Sequence, residues 1–446
     1  MLHAKRGDNR LVAQRMCVCR DQSVSMDSPK ANIFTERVLD NCLAEDAEPD
    51  LDILRDRLRA RTGCSREDIR IVRSPLRISP LGAHVDHQDG IVTGMALDRA
   101  IYLAFVPRTD TQVVIESWNF PGHVAFSLDE IPQAVPGDWG NYARGAALAL
   151  QQSYRIDVGM DGVVMGTMPI GGLSSSAAVG VAYLLALEAV NGLEVPPEEN
   201  IRLDRFIENT YIGLRNGILD QSVILLSDRG CLTYLDCQTM ESRRIPTRAT
   251  ANDFEILVVY SGVRKALVGT DYNNRVTECH KAAELLLAWS GSPAPAGTPR
   301  LRHVPREAYA TLGDRLPPPL DRRARHFFTE MDRVQAGLAA WQAGDVTRMG
   351  ELMRASGRSS VYNYQSGSPH LTTLYELLCE CPGVYGARFS GGGFRGSCIA
   401  LSRPDHREEI VAFLAERYPA AHPDIAACYS VHFCQTSKAA QLINGR

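Results

Sequence analysis

The chain has 446 residues, too long for one ordinary core, so two domains are the natural expectation. Its 45% hydrophobic and 22% charged composition is that of a globular protein in water. A formal net charge of −4 argues against nucleic acid as a partner, and no window approaches the uncharged apolar run of a membrane span.

Residues 1–45 are polar, mixed in charge and lack the apolar core of a secretory signal, which points to a disordered tail on a cytoplasmic protein. The twelve cysteines include the pairs Cys17/Cys19 and Cys379/Cys381, neither with a second half at zinc-site spacing; reduced, mostly buried thiols are expected. A helix is predicted over 50–63, ending on Gly63, then strands over 69–79, 90–108 and 111–118, and a helix over 140–154. Residues 162–190 read as strand, glycine-rich turn and apolar helix; 202–217 and 218–227 as helical; 230–237 and 254–263 as strands. The Pro-rich stretch Gly291–Pro319 reads as an irregular surface insertion. Helices follow over 323–343, 346–356 and 369–379, then a strand–loop–strand over 384–401, a helix from Asp405 and a last strand within 425–433. Strands and helices without strict alternation indicate the α+β class.

Three stretches carry chemistry. In "PIGGLSSSAAVGVAYLLALEAV" (Pro169–Val190), glycines let backbone approach a ligand, and serines open a helix whose free N–H groups and dipole favour an anion. No GK[ST] follows, so this is not a Walker loop, and a serine-capped helix and a phosphate site are both open readings. "SGGGFRG" (Ser390–Gly396) is either a hairpin turn or a loop closing on a ligand held by the first. In "NGILDQ" (Asn216–Gln221), Asp220 sits in an apolar segment, where a carboxylate needs partners or a catalytic use.

In this order, with "RISPLGAHVDH" (Arg77–His87) ahead of them, these stretches resemble the galactokinase branch of the GHMP small-molecule kinases. "TDYNNR" and "RARHFFTEMDRVQAGLAAWQAGD" match as well, and the resemblance runs from about Ile71 to the C-terminus outside the Pro-rich stretch. It implies a two-domain α+β fold: a ribosomal protein S5-like domain over 46–235, and a ferredoxin-like domain over 236–446 with an insertion near 291–319. The active site would lie in the cleft between them. It implies a sugar 1-kinase using ATP and Mg²⁺, with small-molecule partners only and a monomeric or homodimeric state. Pro169, Gly171, Gly172, Leu173, Ser174, Ser175, Ser176 and Ala177 would wrap the triphosphate, and Ser176 and Glu208 would hold Mg²⁺. Asp220 would act as base on the anomeric hydroxyl with Arg77 beside it, while His84, Asp86, Gly217 and Tyr272 would bind the sugar.

The departures bear on the substrate. The family carries Glu, a ligand for the hydroxyl on the sugar's sixth carbon, where this chain has Ala83. A substrate with a carboxylate at that carbon would be repelled by Glu: two like charges at ~4 Å and an effective dielectric of about 20 cost ~4 kcal/mol. Arg395, where the family has Gly, and Arg215 are candidate cations for that carboxylate, each equally suited to phosphate. The expectation is therefore ATP-dependent phosphorylation of D-galacturonate at its anomeric hydroxyl. A 1-kinase for L-arabinose, which lacks a sixth carbon, or for galactose is the alternative. A non-catalytic galactokinase-like sugar sensor would require damage to "SSSAA", Arg77 or Asp220, all of which are intact.

Overall fold

A computed structural model describes residues 49–168, 172–214, 216–263, 271–293, 295–393 and 396–443. The expected N-terminal tail with Cys17 and Cys19, and Pro169, Gly171, Arg215 and Arg395, lie outside the described residues.

Helix α1 (Asp52–Thr62) buries Leu54 and Leu58, one turn apart, and stops at Gly63 in the left-handed conformation (φ 71°). It lies against an eight-stranded sheet of β1 (Arg70–Ile78), β2 (Ile91–Pro107), β3 (Gln112–Ser117), β4 (His123–Ser127), β5 (Met160–Gly166), β6 (Cys231–Asp236), β7 (Ser242–Pro246) and β12 (Gln441–Ile443). The order is β12-β1-β2-β5-β3-β4, with β6 and β7 added along the start of β2; only β3 and β5 pair in parallel. Strand β2 is paired along most of its 17 residues and buried over most of them, which accounts for its nearly continuous apolar sequence. Helices α2 (Asn141–Gln151), α3 (Ser175–Val190), α4 (Pro197–Phe206) and α5 (Leu219–Leu226) pack together, and α3 and α5 contact the sheet. Because α3 is surrounded, it is apolar on nearly every side. The helix predicted over 202–217 is shorter. After α4 the chain makes a π-helical turn over 207–212 and leaves it at Gly213 (φ 89°), and Asn216 and Gly217 lie outside any helix ahead of α5.

The second sheet, β11-β8-β10-β9, is antiparallel and comprises β8 (Glu255–Tyr260), β9 (Val384–Phe389), β10 (Ser397–Ser402) and β11 (Ser430–Cys434). Alternation divides its faces. Leu257, Val259, Ala387 and Phe389 pack with α10 (Pro369–Glu380) and α11 (Arg407–Ala421). Ile256, Val258, Ile399 and Leu401 join the core that runs on into the first sheet. That opposite face is covered by α8 (Leu320–Ala343) and α9 (Val346–Ser359), and helix α6 (Tyr272–Ser290), unforeseen from sequence, packs on α8. The C-terminal strand β12 returns to the edge of β1 in the first sheet.

The stretch from Gly291 to Pro319 corrects the expectation of an irregular surface insertion. It forms the short helix α7 (Arg306–Leu312), buries Leu301, Val304 and Leu316, and is tied down by ion pairs Arg300–Asp89 and Arg302–Asp236. Its prolines mark turns, but its spaced leucines and valine have a core to enter. Among the described residues, no helix is long and apolar enough to cross a membrane.

Candidate active site

Strand β1 carries Arg77 to the seam between the sheets. Its Nε and Nη2 donate to Asp220 Oδ1 on the first turn of α5, at 2.9 and 2.6 Å. No hydrogen bond engages Asp220 Oδ2 among the described residues, and the Asp220 side chain keeps 20% exposure. Arg77 Nη1 also reaches the Gly172 carbonyl and Ser390 Oγ, both at 3.4 Å, so one guanidinium touches the carboxylate and both glycine-rich loops.

The loops lie on each other. Gly172 has φ 77°, and a Cβ there would sit 2.8 Å from Ser397 N and 3.0 Å from the Ser390 carbonyl. Ser174 precedes α3 in the left-handed conformation (φ 56°), its buried Oγ unpaired. Ser175 and Ser176 follow at the partly exposed helix end, where free N–H groups and the helix dipole favour an anion. Leu173 and Ala177 bury their side chains in the core, so what they offer a phosphate is backbone.

Carboxylates crowd behind this helix end. Glu208, on the π-helical turn, is buried and accepts from Asn216 Nδ2, while its Oε1 has no partner. Burial, and then the Asp220 charge, push the Glu208 carboxyl up to about 7, against the pull of Asn216 and Ser176. Asp204 is fully buried with both oxygens unpaired, and burial raises its carboxyl well above the usual range. On the other side of Asp220, Asp86 is pushed to about 6, first by burial and then by Asp220. Backbone N–H groups of His87 and Leu219 pull the other way. A Cβ on Gly217 would come within 2.2 Å of Asp86 Oδ2, so glycine is required there. Tyr272 opens α6 with its ring edge-on to His87, and its hydroxyl is raised by burial, then by Asp86 and Asp220.

Around Ala83 the structure adds residues that sequence reasoning missed. Gly82 (φ 93°) and His84 (φ 56°) are both left-handed, which sharply turns the chain through Ala83. The turn is clamped by α8: Glu330 Oε1 accepts from the Gly82 and Ala83 N–H groups at 2.9 and 3.1 Å, and His326 Nε2 lies 2.8 Å from the Ala83 carbonyl. That contact fixes the His326 tautomer, with Nε2 donating and Nδ1 accepting from Ser359 Oγ. Burial alone would raise Glu330, but Arg333, His326, Arg388 and Ser356 outweigh it and hold the carboxyl at about 2. His84 stacks flat on Tyr364 at 4.1 Å, and burial, then His326 and Arg388, hold it well below its ordinary range and hence neutral.

Arg388 completes this end. It stands on β9 between Ala387 and Phe389, so alternation turns it toward the first domain. It is 2% exposed, its Nη1 donates to the Ser79 carbonyl at 3.0 Å, and its Nε is buried without a partner. Among the described residues it has no ion pair. Burial pulls its pKa down to about 10.

Comparison with known proteins agrees with this layout. The GHMP kinases N terminal domain matches residues 141–228, the GHMP kinases C terminal domain 337–420, and the galactokinase galactose-binding signature 58–107. A galacturonokinase of Arabidopsis thaliana is 43% identical over 420 residues, covering 89% of this chain and 99% of the relative. A galactokinase of Chloroflexus aurantiacus is 37% identical over 350 residues, covering 78% and 88%. The chain belongs to the GHMP kinases, in their galactokinase branch. The crystal structure of Lactococcus lactis galactokinase complexed with galactose aligns with a TM-score of 0.80 at 28% identity, covering 88% of this chain and all of that one. Methanococcus jannaschii mevalonate kinase shares the fold at a TM-score of 0.60 and 15% identity.

GHMP kinases use ATP as phosphate donor, and the residues present here suit a magnesium nucleotide. Ser175 and Ser176 stand at a helix N-terminus, and Glu208 offers a buried oxygen without a hydrogen-bond partner, its carboxyl raised by burial and by the Asp220 charge. Hard oxygen donors in an electron-rich cluster are what Mg²⁺ takes.

Proposed function

We propose that the protein transfers the γ-phosphoryl group of ATP to the anomeric hydroxyl of D-galacturonate, giving galacturonate 1-phosphate, ADP and a proton. The observation that carries the choice of sugar is the Ala83 end of the site. Residue 83 itself carries no carboxylate to repel a uronate, the Glu330 carboxylate behind it is engaged by the Gly82 and Ala83 N–H groups, Ser356 and Arg333, and the buried Arg388 makes no direct ion pair among the described residues. Arg388 binds Ser79, four residues before Ala83, and its charge acts on His84, the residue after it. A buried cation with no anion in direct contact is costly, and a ligand that brings one relieves that cost. A neutral sugar leaves it in place. The 43% identity to a galacturonokinase supports the same reading.

The rest of the mechanism concerns positioning and charge. Asp86, Gly217, His84 and Tyr272 hold the sugar ring with its anomeric hydroxyl at Asp220. Asp220 Oδ2, the oxygen left free by Arg77, takes the hydroxyl proton as the O–P bond forms. Arg77 orients Asp220 through its two bonds to Oδ1 and stands beside the charge passing from nucleophile to leaving group. The backbone of Gly172–Ala177 and the N-terminus of α3 cradle the phosphates. Mg²⁺, held by Ser176 and Glu208, would supply charge neutralisation on the phosphates. We place the reaction in the cytoplasm, where ATP is supplied.

The test is ATP-dependent phosphorylation, read by ADP release, across D-galacturonate, D-galactose, L-arabinose and D-glucuronate. D-Galacturonate should give the highest kcat/KM. A neutral sugar in first place would replace this reading with a galactokinase or arabinokinase, and no turnover on any sugar would favour a sensor.

A further inference from the structure

On the far face of the second sheet from the cleft, three metal-ligating side chains meet. His370 stands in the first turn of α10, and His422 and Asp424 follow the end of α11. They are 52 and 54 residues apart in sequence, so tertiary packing rather than local sequence joins them. One ligand atom from each lies within 4.8 Å of the others, and His370 Nε2 is 3.2 Å from Asp424 Oδ2. Tetrahedral zinc with ligands at about 2.0–2.1 Å sets neighbouring ligand atoms about 3.3 Å apart, so this edge already has the right length. The imidazoles are tilted at 33° with centroids 4.2 Å apart.

The surroundings suit an ion as well. His422 Nε2 is hydrogen-bonded to Thr373 Oγ1 at 3.0 Å, which orients the ring and, with that nitrogen protonated, leaves the Nδ1 lone pair free. A second imidazole nitrogen bound to a protein oxygen is the usual support of a metal-bound histidine. His370 and His422 are partly buried and Asp424 is exposed, so the site has a mouth to solvent and room for a water as fourth ligand.

We infer that His370, His422 and Asp424 form a zinc site, separate from the nucleotide's magnesium site, that clips the start of α10 to the end of α11. Two imidazoles and one carboxylate are a donor set for Zn²⁺; Mg²⁺ and Ca²⁺ take nearly all-oxygen sets. The site lies on the opposite side of the second sheet from Arg388 and the sugar end, so it acts on the stability of the domain and not on chemistry. The first turn of α10 continues from the segment carrying Ser366, whose hydroxyl is 3.4 Å from His84 Nε2, so the clip also anchors a segment reaching the cleft.

The full-length protein, stripped with chelator and desalted, should be titrated with ZnCl₂ against a chromophoric zinc competitor, with millimolar MgCl₂ present throughout. One equivalent should bind with micromolar or tighter affinity and raise the melting temperature. His422→Ala, His370→Ala and the near-isosteric Asp424→Asn should each weaken binding at least tenfold and abolish the thermal shift, with kcat on Mg²⁺–ATP unchanged. Melting each variant without zinc separates a lost ligand from a damaged fold. Absence of zinc binding by the wild type, or undiminished affinity in variants that melt normally, overturns the inference.

Discussion

The two ends of the cleft are unbalanced in opposite directions. At the phosphoryl end, burial and the neighbouring Asp220 charge raise the carboxyls of Asp204, Glu208 and Asp86, and acceptor oxygens on Asp204 and Glu208 have no hydrogen-bond partner among the described residues. At the sugar's far end, the acid that is present, Glu330, is saturated by the Gly82 and Ala83 N–H groups, Ser356 and Arg333, while Arg388 feels its charge but makes no direct ion pair among the described residues. At one end acids outnumber the cation in contact with them, and at the other a buried cation has no acid in direct contact. Burial makes each deficiency expensive, because the low-dielectric interior leaves a charge with only its neighbours for compensation. What each end lacks is what its proposed ligand brings: a magnesium nucleotide to the first and a carboxylate to the second.

The largest expected effects come from breaking each end in turn. Asp220→Asn should keep fold and sugar binding yet lower kcat about 10²–10⁴-fold, the usual cost of losing a general base. Near wild-type single-turnover rates at saturating sugar would remove Asp220 from that role. Ala83→Glu puts a carboxylate where the substrate's own is placed. At an effective dielectric of about 20 the repulsion reaches ~4 kcal/mol, close to a thousandfold in the kcat/KM ratio of galacturonate to galactose. The added Glu also offers Arg388 an internal partner, so the variant should melt no lower than the wild type. Equal loss on both sugars would mean that residue 83 does not face the sixth carbon.

Arg388 sharpens the contrast further. Arg388→Met keeps length and removes charge, and losing a hydrogen bond to a charged group is worth about 1.5–3 kcal/mol. Galacturonate kcat/KM should fall about 10- to 150-fold relative to galactose. Because Arg388 also holds the Ser79 carbonyl, both activities should drop somewhat, and the ratio is the measurement that decides. An unchanged ratio with a lower melting temperature would make Arg388 a structural tie alone.

How legible each end was in the sequence follows the same division. The phosphoryl end is built from continuous motifs. Gly172–Ser176 and Asn216–Asp220 could be read in place, and Arg77 lies next to a third such stretch. The sugar end is assembled from residues far apart in the chain. Glu330 and His326 are about 250 residues from the turn they clamp, and although they lie in a stretch that matches the family, nothing in the sequence beyond their four-residue spacing on one helix face assigns them to that turn. Arg388 reads as an ordinary strand residue until the faces of β9 are assigned, when alternation alone turns it inward. The fold shows the same limit. The α+β class and most strands and helices were readable from periodicity, whereas β12 on the edge of β1 and the packing of Leu301 and Leu316 depend on tertiary contacts.

The smallest expected effect tests the deficiency at the phosphoryl end directly. Glu208 is pushed up to about 7, so near pH 7 roughly half the free molecules carry a proton there. A raised carboxyl pKa stabilises the protonated fold. Its contribution is complete below the unfolded value near 4.5 and is lost as pH rises through about 7. A bound cation reverses the preference, because a metal ligand must be deprotonated. Binding of preformed Mg²⁺–nucleotide at pH 7 should therefore release roughly half a proton from this residue, and much less at pH 8.5. Calorimetry in two buffers of different ionisation enthalpy measures that release. Glu208→Gln cannot titrate and should remove the difference between buffers, even where some nucleotide affinity survives. Identical enthalpies in both buffers for the wild type at pH 7 would show that no proton leaves on loading, and the carboxylate cluster would then be satisfied by something other than the incoming cation.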